Sequence, residues 1–156
     1  MNKFRIVTAA MAAAIMVGAG AATVVAQDKE ATLKARQDIM KAQSADLRAV
    51  KAYIDGTGDQ AAAQEKANDL VSVSGKFAPM FIAGTSSKDL PGKSAAKPEI
   101  WAEKAKFDAA ATALHTEAEK LAAAVKSGDK TAVDAAFKAV GGTCGNCHNP
   151  FREKTS

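Results

Sequence analysis

Only two cysteines and eight aromatic side chains (six Phe, one Trp, one Tyr) occur in 156 residues. So few thiols exclude a scaffold stapled by several disulfides. A closed zinc site wants four Cys or His ligands, and the chain offers only Cys144, Cys147, His148 and the distant His115. No Val/Ile/Thr-rich alternating run is present, which argues against a sheet. No Lys/Arg block suggests a nucleic-acid surface. What remains is dominated by Ala, Lys, Glu and Leu, a helical composition.

The N-terminus carries its own signal. Asn2-Lys3-Phe4-Arg5 is a short basic segment, Ile6 to Val17 is nearly unbroken apolar sequence, and Gly18 to Ala26 is small and weakly apolar. That order describes a secretory signal peptide over residues 1–26, cleaved after Ala26 so that Gln27 opens the mature chain. A membrane anchor of about 20 residues is the competing reading. The small-residue end and the polar Gln27-Asp28-Lys29-Glu30 favour processing. Taking Lys3 and Arg5 from 21 basic residues leaves 19 against 17 acidic, so the mature chain is close to neutral. Its 130 residues, 27–156, are enough for one domain with a real core.

Helical periodicity appears four times. The first stripe, within about Lys29 to Asp55, reads Leu33, Arg36, Met40, Gln43, Leu47, Val50, Ile54. Gly56-Thr57-Gly58 ends it and Asp59 can cap the next helix. The second carries Ala63, Ala67, Leu70, Ser74, Phe77 and Phe81, with Pro79 expected to kink or shorten its last turn. Gly84 to Lys97 has no period and reads as the one long connection. Pro98 suits a first helical position, with Glu99 behind it where the helix dipole favours an acid. Phe107, Ala111, Leu114, Ala118, Leu121 and Val125 form the third stripe. Ser127-Gly128-Asp129 stops that helix and caps the last, whose stripe is Val133, Phe137, Val140, Cys144, Cys147, Phe151. These segments predict an all-α, antiparallel up-down-up-down four-helix bundle with a cofactor held between facing helices.

Cys144-Gly145-Asn146-Cys147-His148 is the c-type haem attachment signature C-x-x-C-H. Each thiol can add across one haem vinyl group, leaving the imidazole of His148 to ligate the iron. A dithiol redox pair is the competing reading. An exported protein is expected to spend its cysteines on a disulfide, but both here belong to the signature, so none is expected. Alanine-rich stripes also leave a bundle centre short of side-chain volume, which a haem would fill. Export and covalent haem attachment both point outside the cytoplasm, in bacteria to the periplasm.

With its four segments, C-terminal signature, Phe151-Arg152, Lys97-Pro98-Glu99-Ile100-Trp101 and Arg36-Gln37-Asp38-Ile39-Met40, the mature chain resembles the class II c-type cytochromes. That family contains cytochrome c-prime and its low-spin, methionine-ligated c556-like relatives. The resemblance implies one haem c with thioethers at Cys144 and Cys147 and iron ligation by His148. It puts Arg36 near a haem propionate, Arg152 beside the proximal histidine and Trp101 at the haem edge. Independently, a cation on the apolar stripe at Arg36 is costly unless paired, though a long side chain can also snorkel to water. Arg152 follows His148 by four and shares its face, or is a surface cation near a helix end.

Met40 follows Arg36 by four, the position from which this family presents a residue to the distal side of the haem. In the low-spin branch a methionine there ligates iron; in the cytochrome c-prime branch the site stays open. Met40 is read here as the sixth ligand. Met80, beside Pro79, is expected to pack, and His115 to sit at the surface or boundary. The chain is therefore expected to be a one-electron carrier between redox partner proteins, and not an enzyme. The alternative is a five-coordinate, cytochrome c-prime-type protein that binds NO or CO. A thiol–disulfide oxidoreductase ranks third, because the strand–helix alternation such proteins use is missing. No nucleic acid is expected, nor a membrane once the signal is removed. The resemblance leaves open a homodimer through the first two helices.

Overall fold

The structure, a computed structural model, describes residues 20–154, with side chains from residue 28. The expected export segment therefore lies outside the described residues except for 20–26, which form the start of the first helix. Four long helices make the bundle: α1 (Gly20–Ile54), α2 (Gln60–Ser74), α4 (Lys104–Ser127) and α5 (Lys130–Phe151), with a short α3 (Glu99–Ala102) before α4. Successive long helices pack on each other, α1 on α2, α2 on α4 and α4 on α5. Of these neighbouring long helices, α1 and α5 meet least.

Local chemistry sets most of the ends. Gly56 at φ 77° turns the chain after α1, a left-handed conformation that a Cβ would strain. Asp59 caps α2 by accepting from Ala62 N at 2.8 Å. Gly128, at φ 76°, closes α4, and Asp129 accepts from the backbone N–H of Thr131 at 2.9 Å and Ala132 at 3.2 Å to open α5.

Three boundaries differ from expectation. The second helix stops at Ser74, so Phe77 and Phe81 flank a 3-10 turn, Ala78–Met80, rather than continue the helix. Gly75 is a poor helix former, and Pro79 has no N–H to bond the carbonyl four residues back. The third helix is broken at Glu103, with φ −115° and ψ 43°, and Pro98 stands at the cap before α3, not inside it. The long connection is a built element. Ser94 Oγ donates to Thr85 O at 2.8 Å, Ser87 N to Ala96 O at 2.7 Å, and Ser86 Oγ to Asp89 Oδ2 at 2.6 Å. Its Thr85, Ser86 and Ser94 are buried.

The core follows the stripes. All six positions of the third stripe, Phe107 to Val125, are buried, and Ala63, Ala67 and Ala118 are sealed completely. Alanine at those contacts lets helix backbones approach. Phe77, Phe81, Trp101, Phe107 and Phe151 gather at one end: Phe107 lies 4.7 Å from Phe81 and 5.5 Å from Phe151 between ring centroids, and Phe81 lies 6.5 Å from Trp101.

Candidate functional site

The C-terminal third of α5 brings Cys144, Cys147 and His148 together. Cys144 and Cys147, one turn apart, are half-buried and pack against the core with free thiols. Burial pushes both thiols above their ordinary pKa, and for Cys147 the neighbouring Cys144 adds to the effect. A redox-active dithiol needs a thiolate of lowered pKa, so this environment opposes thiol–disulfide chemistry. His148 is exposed on a groove of ≈ 350 Å³ lined also by Asn149, Arg152, Glu153 and Lys154. Desolvation, and then the charge of Arg152, lower its pKa, which favours the neutral imidazole that a metal requires.

Arg152 takes its place through the backbone. Its N–H donates to His148 O at 3.0 Å, and it forms an isolated antiparallel bridge with Ala96. Lys97 N donates to Phe151 O at 3.0 Å and Glu153 N to Ala95 O at 2.8 Å. The connection before α3 thus clasps the end of α5, while the Arg152 side chain stays exposed.

Arg36 is 4% exposed. Its guanidinium donates to Thr85 Oγ1 at 3.2 Å, Thr85 O at 3.3 Å and Ser94 Oγ at 3.1 Å, and lies 4.3 Å above the Phe81 ring. Every one of these partners is neutral. Burial lowers its pKa to about 10, so it remains a cation at neutral pH. Trp101 is half-buried and donates Nε1–H to Phe81 O at 3.0 Å, tying α3 to the ring beneath Arg36. Met40, one turn after Arg36, is half-buried against the core. His115 sits at the boundary, Nδ1 3.0 Å from Ser74 Oγ and Nε2 3.7 Å from Glu119, and Met80 is part of the 3-10 turn.

Thr85, Ser94 and Phe81 as partners of Arg36 were not foreseen. Two of them lie in a connection whose sequence has no period, and only the buried charge on the α1 stripe hinted that acceptors must exist somewhere.

These residues fit a tethered haem. A half-buried thiol pair precedes an accessible imidazole. Arg36 is a buried cation without a carboxylate in salt-bridge range among the described residues, which suits a propionate. A Cβ placed on Gly141 or Gly145, which flank Cys144 on α5, meets nothing within 4 Å, so no neighbouring element covers the helix there. Among the described residues no group of three or more His, Cys, Asp or Glu could hold a metal ion by itself. No described helix is long and apolar enough to cross a membrane.

Comparison with known proteins gives a consistent result. The sequence model of the family described as Cytochrome C' matches residues 31–152. A cytochrome c' of Cereibacter sphaeroides is 34% identical over 145 residues, covering 90% of this chain and 95% of the relative. A cytochrome c-556 of Rhodopseudomonas palustris is 40% identical over 72 residues, 43% of this chain and 44% of the relative. Among solved structures, a nitric oxide complex of a cytochrome c prime variant from Alcaligenes xylosoxidans superposes with a TM-score of 0.71 at 28% identity, covering 81% of this chain and 97% of that one.

Proposed function

The chain belongs to the cytochrome c' family and carries one covalently attached haem c, and from that premise we propose that it takes up NO or CO at an iron left open on its distal side. The match along residues 31–152 to a family with a nitric oxide complex among its solved structures carries this reading. We assign residues 1–26 to export, residues 27–156 to a periplasmic haem domain that is not an enzyme, Cys144 and Cys147 to the thioethers, and His148 to the iron. The haem supplies the redox-active iron and its affinity for a diatomic ligand. Two thioethers on one face of α5 fix where His148 can point. Arg36 would neutralise a propionate from within the core, Arg152 would set a positive charge beside the His148 imidazole, and Trp101 with Phe81 would keep water from that end of the site. Met40 covers the distal side without bonding.

The second reading keeps Met40 as the sixth ligand, in a low-spin carrier working between redox proteins. Its support is the half-buried thioether one turn from Arg36, on an unbranched chain able to adapt to a metal, together with the c-556 relative. A visible spectrum of the reduced protein with and without CO separates the two. An open site gives broad high-spin bands, a ready CO adduct, and the same spin state in Met40→Ala. Sharp low-spin bands, indifference to CO and an upfield-shifted methionine methyl signal would establish Met40 ligation instead.

A further inference from the structure

Gln43 has no role in the site described above, yet it is 7% exposed and its Nε2 has no hydrogen-bond partner. Native proteins rarely leave a buried amide donor unpaired. The other polar groups near it on α1 are not suitable. Arg36 has no acceptor to offer and is already bonded to Thr85 and Ser94. Asp46, whose Oδ2 is also unpartnered, stands three residues C-terminal to Gln43, the direction away from which the Gln43 side chain leans, and Asp69 and Lys66 of α2 act on it. Gln64 Oε1 is a third unpartnered atom, but the turn at residues 55–59 puts Gln64 opposite Val50, about two turns from Gln43.

Helical side chains lean toward the N-terminus and cover the turn before their own Cα. The carboxamide of Gln43 therefore lies over the turn that bears Met40, the residue assigned to the distal side, and it belongs to the stripe Arg36, Met40, Gln43, Leu47. We propose that Gln43 is the distal hydrogen-bond donor, placing an N–H against the outer atom of a diatomic ligand that gains negative charge on binding reduced iron. Donors in a distal pocket decide what a haem retains, so Gln43 acts as a specificity residue. This rests on the open-site reading.

The test compares ferrous CO adducts of the wild type and Gln43→Met, which conserves volume and removes the donor. Haem content and helicity should not change. The infrared stretch of bound CO should move to higher frequency in the variant, because no donor then draws electron density into the ligand. CO should dissociate faster, from a few-fold to about tenfold, as expected for one hydrogen bond. Independently of any variant, the wild-type stretch should differ between H2O and D2O. Equal stretches and off-rates in the two proteins, or a wild-type stretch blind to D2O, overturn the role of Gln43 while leaving gas binding intact. A wild-type protein that does not bind CO overturns the open site first, and Gln43 with it.

Discussion

At the scale of single residues, α1 puts two charged side chains where water cannot reach them, and they behave oppositely. Arg36 is surrounded by neutral acceptors and an aromatic face, so its charge is available to an anion brought in with the haem. A cation near the iron favours the reduced state, whose metal carries less positive charge. Arg36→Ala should therefore lower the reduction potential without releasing the haem. If the lost interaction is worth about 1 kcal/mol, the shift is roughly 40 mV for a one-electron couple, measurable by protein-film voltammetry; an unchanged potential would detach Arg36 from the propionates. Asp46 is the unfavourable one. It is 5% exposed with Oδ2 unpartnered, and burial, then the nearby Asp69, raise its pKa, while Lys66 opposes them. A carboxyl whose folded pKa exceeds its unfolded value of about 3.9 binds its proton more tightly in the fold. The fold is therefore relatively favoured at low pH, and the ionised group weighs fully against it above the folded pKa. Asp46→Asn should stabilise the haem-loaded protein at pH 7 by about 1 kcal/mol, and the gain should shrink as the pH falls toward 4. Urea midpoints at the two values check this, and a gain that does not change with pH would assign the effect to packing instead of charge.

At the scale of elements, the bundle depends on end chemistry that is strongly local. Asp129 satisfies two backbone N–H groups at the start of α5, the helix that carries both thiols and the imidazole. Asp129→Ala should cost about 1 kcal/mol, read as a lower midpoint in thermal unfolding with an unchanged haem spectrum; a changed spectrum would mean that the cap also sets the angle of α5. Such ends were legible in the sequence because Gly56, Asp59, Gly128 and Asp129 act within a few residues of themselves. The stripes were legible for a related reason, since periodicity records which face meets the core; the six positions from Phe107 to Val125 are buried as a set. The break at Glu103 was not legible. Residues 102–106 are good helix formers, and the chain bends there while Ile100 is buried and Trp101 reaches the carbonyl of Phe81, a tertiary demand that overrides propensity. The acceptors of Arg36 were hidden likewise, 49 and 58 residues along the chain in a connection without a period. Of the site itself, the attachment signature was legible at once. The neutral shell around Arg36 was not.

At the scale of the whole molecule, α1 and α5 make the sparsest contact of the neighbouring long helices, and the proposed tether lies on α5. Replacing both Cys144 and Cys147 by Ala should therefore leave a chain that folds poorly, because small residues on the stripes cannot fill the centre alone. Circular dichroism at 25 °C would show reduced helicity and a broad transition, and intact mass would show the polypeptide without haem. A fully helical, sharply melting variant would mean that the bundle needs no ligand. Trp101 gives this assembly an optical gauge. It is the only tryptophan, held through Nε1 at 3.0 Å from Phe81 O, and Phe81 in turn lies under the Arg36 guanidinium. With the haem beside that indole, as the family resemblance implies, energy transfer to the porphyrin should hold emission dark while the bundle is closed and let it brighten as Trp101 moves away, so that fluorescence follows the opening of this one corner in real time with no added dye.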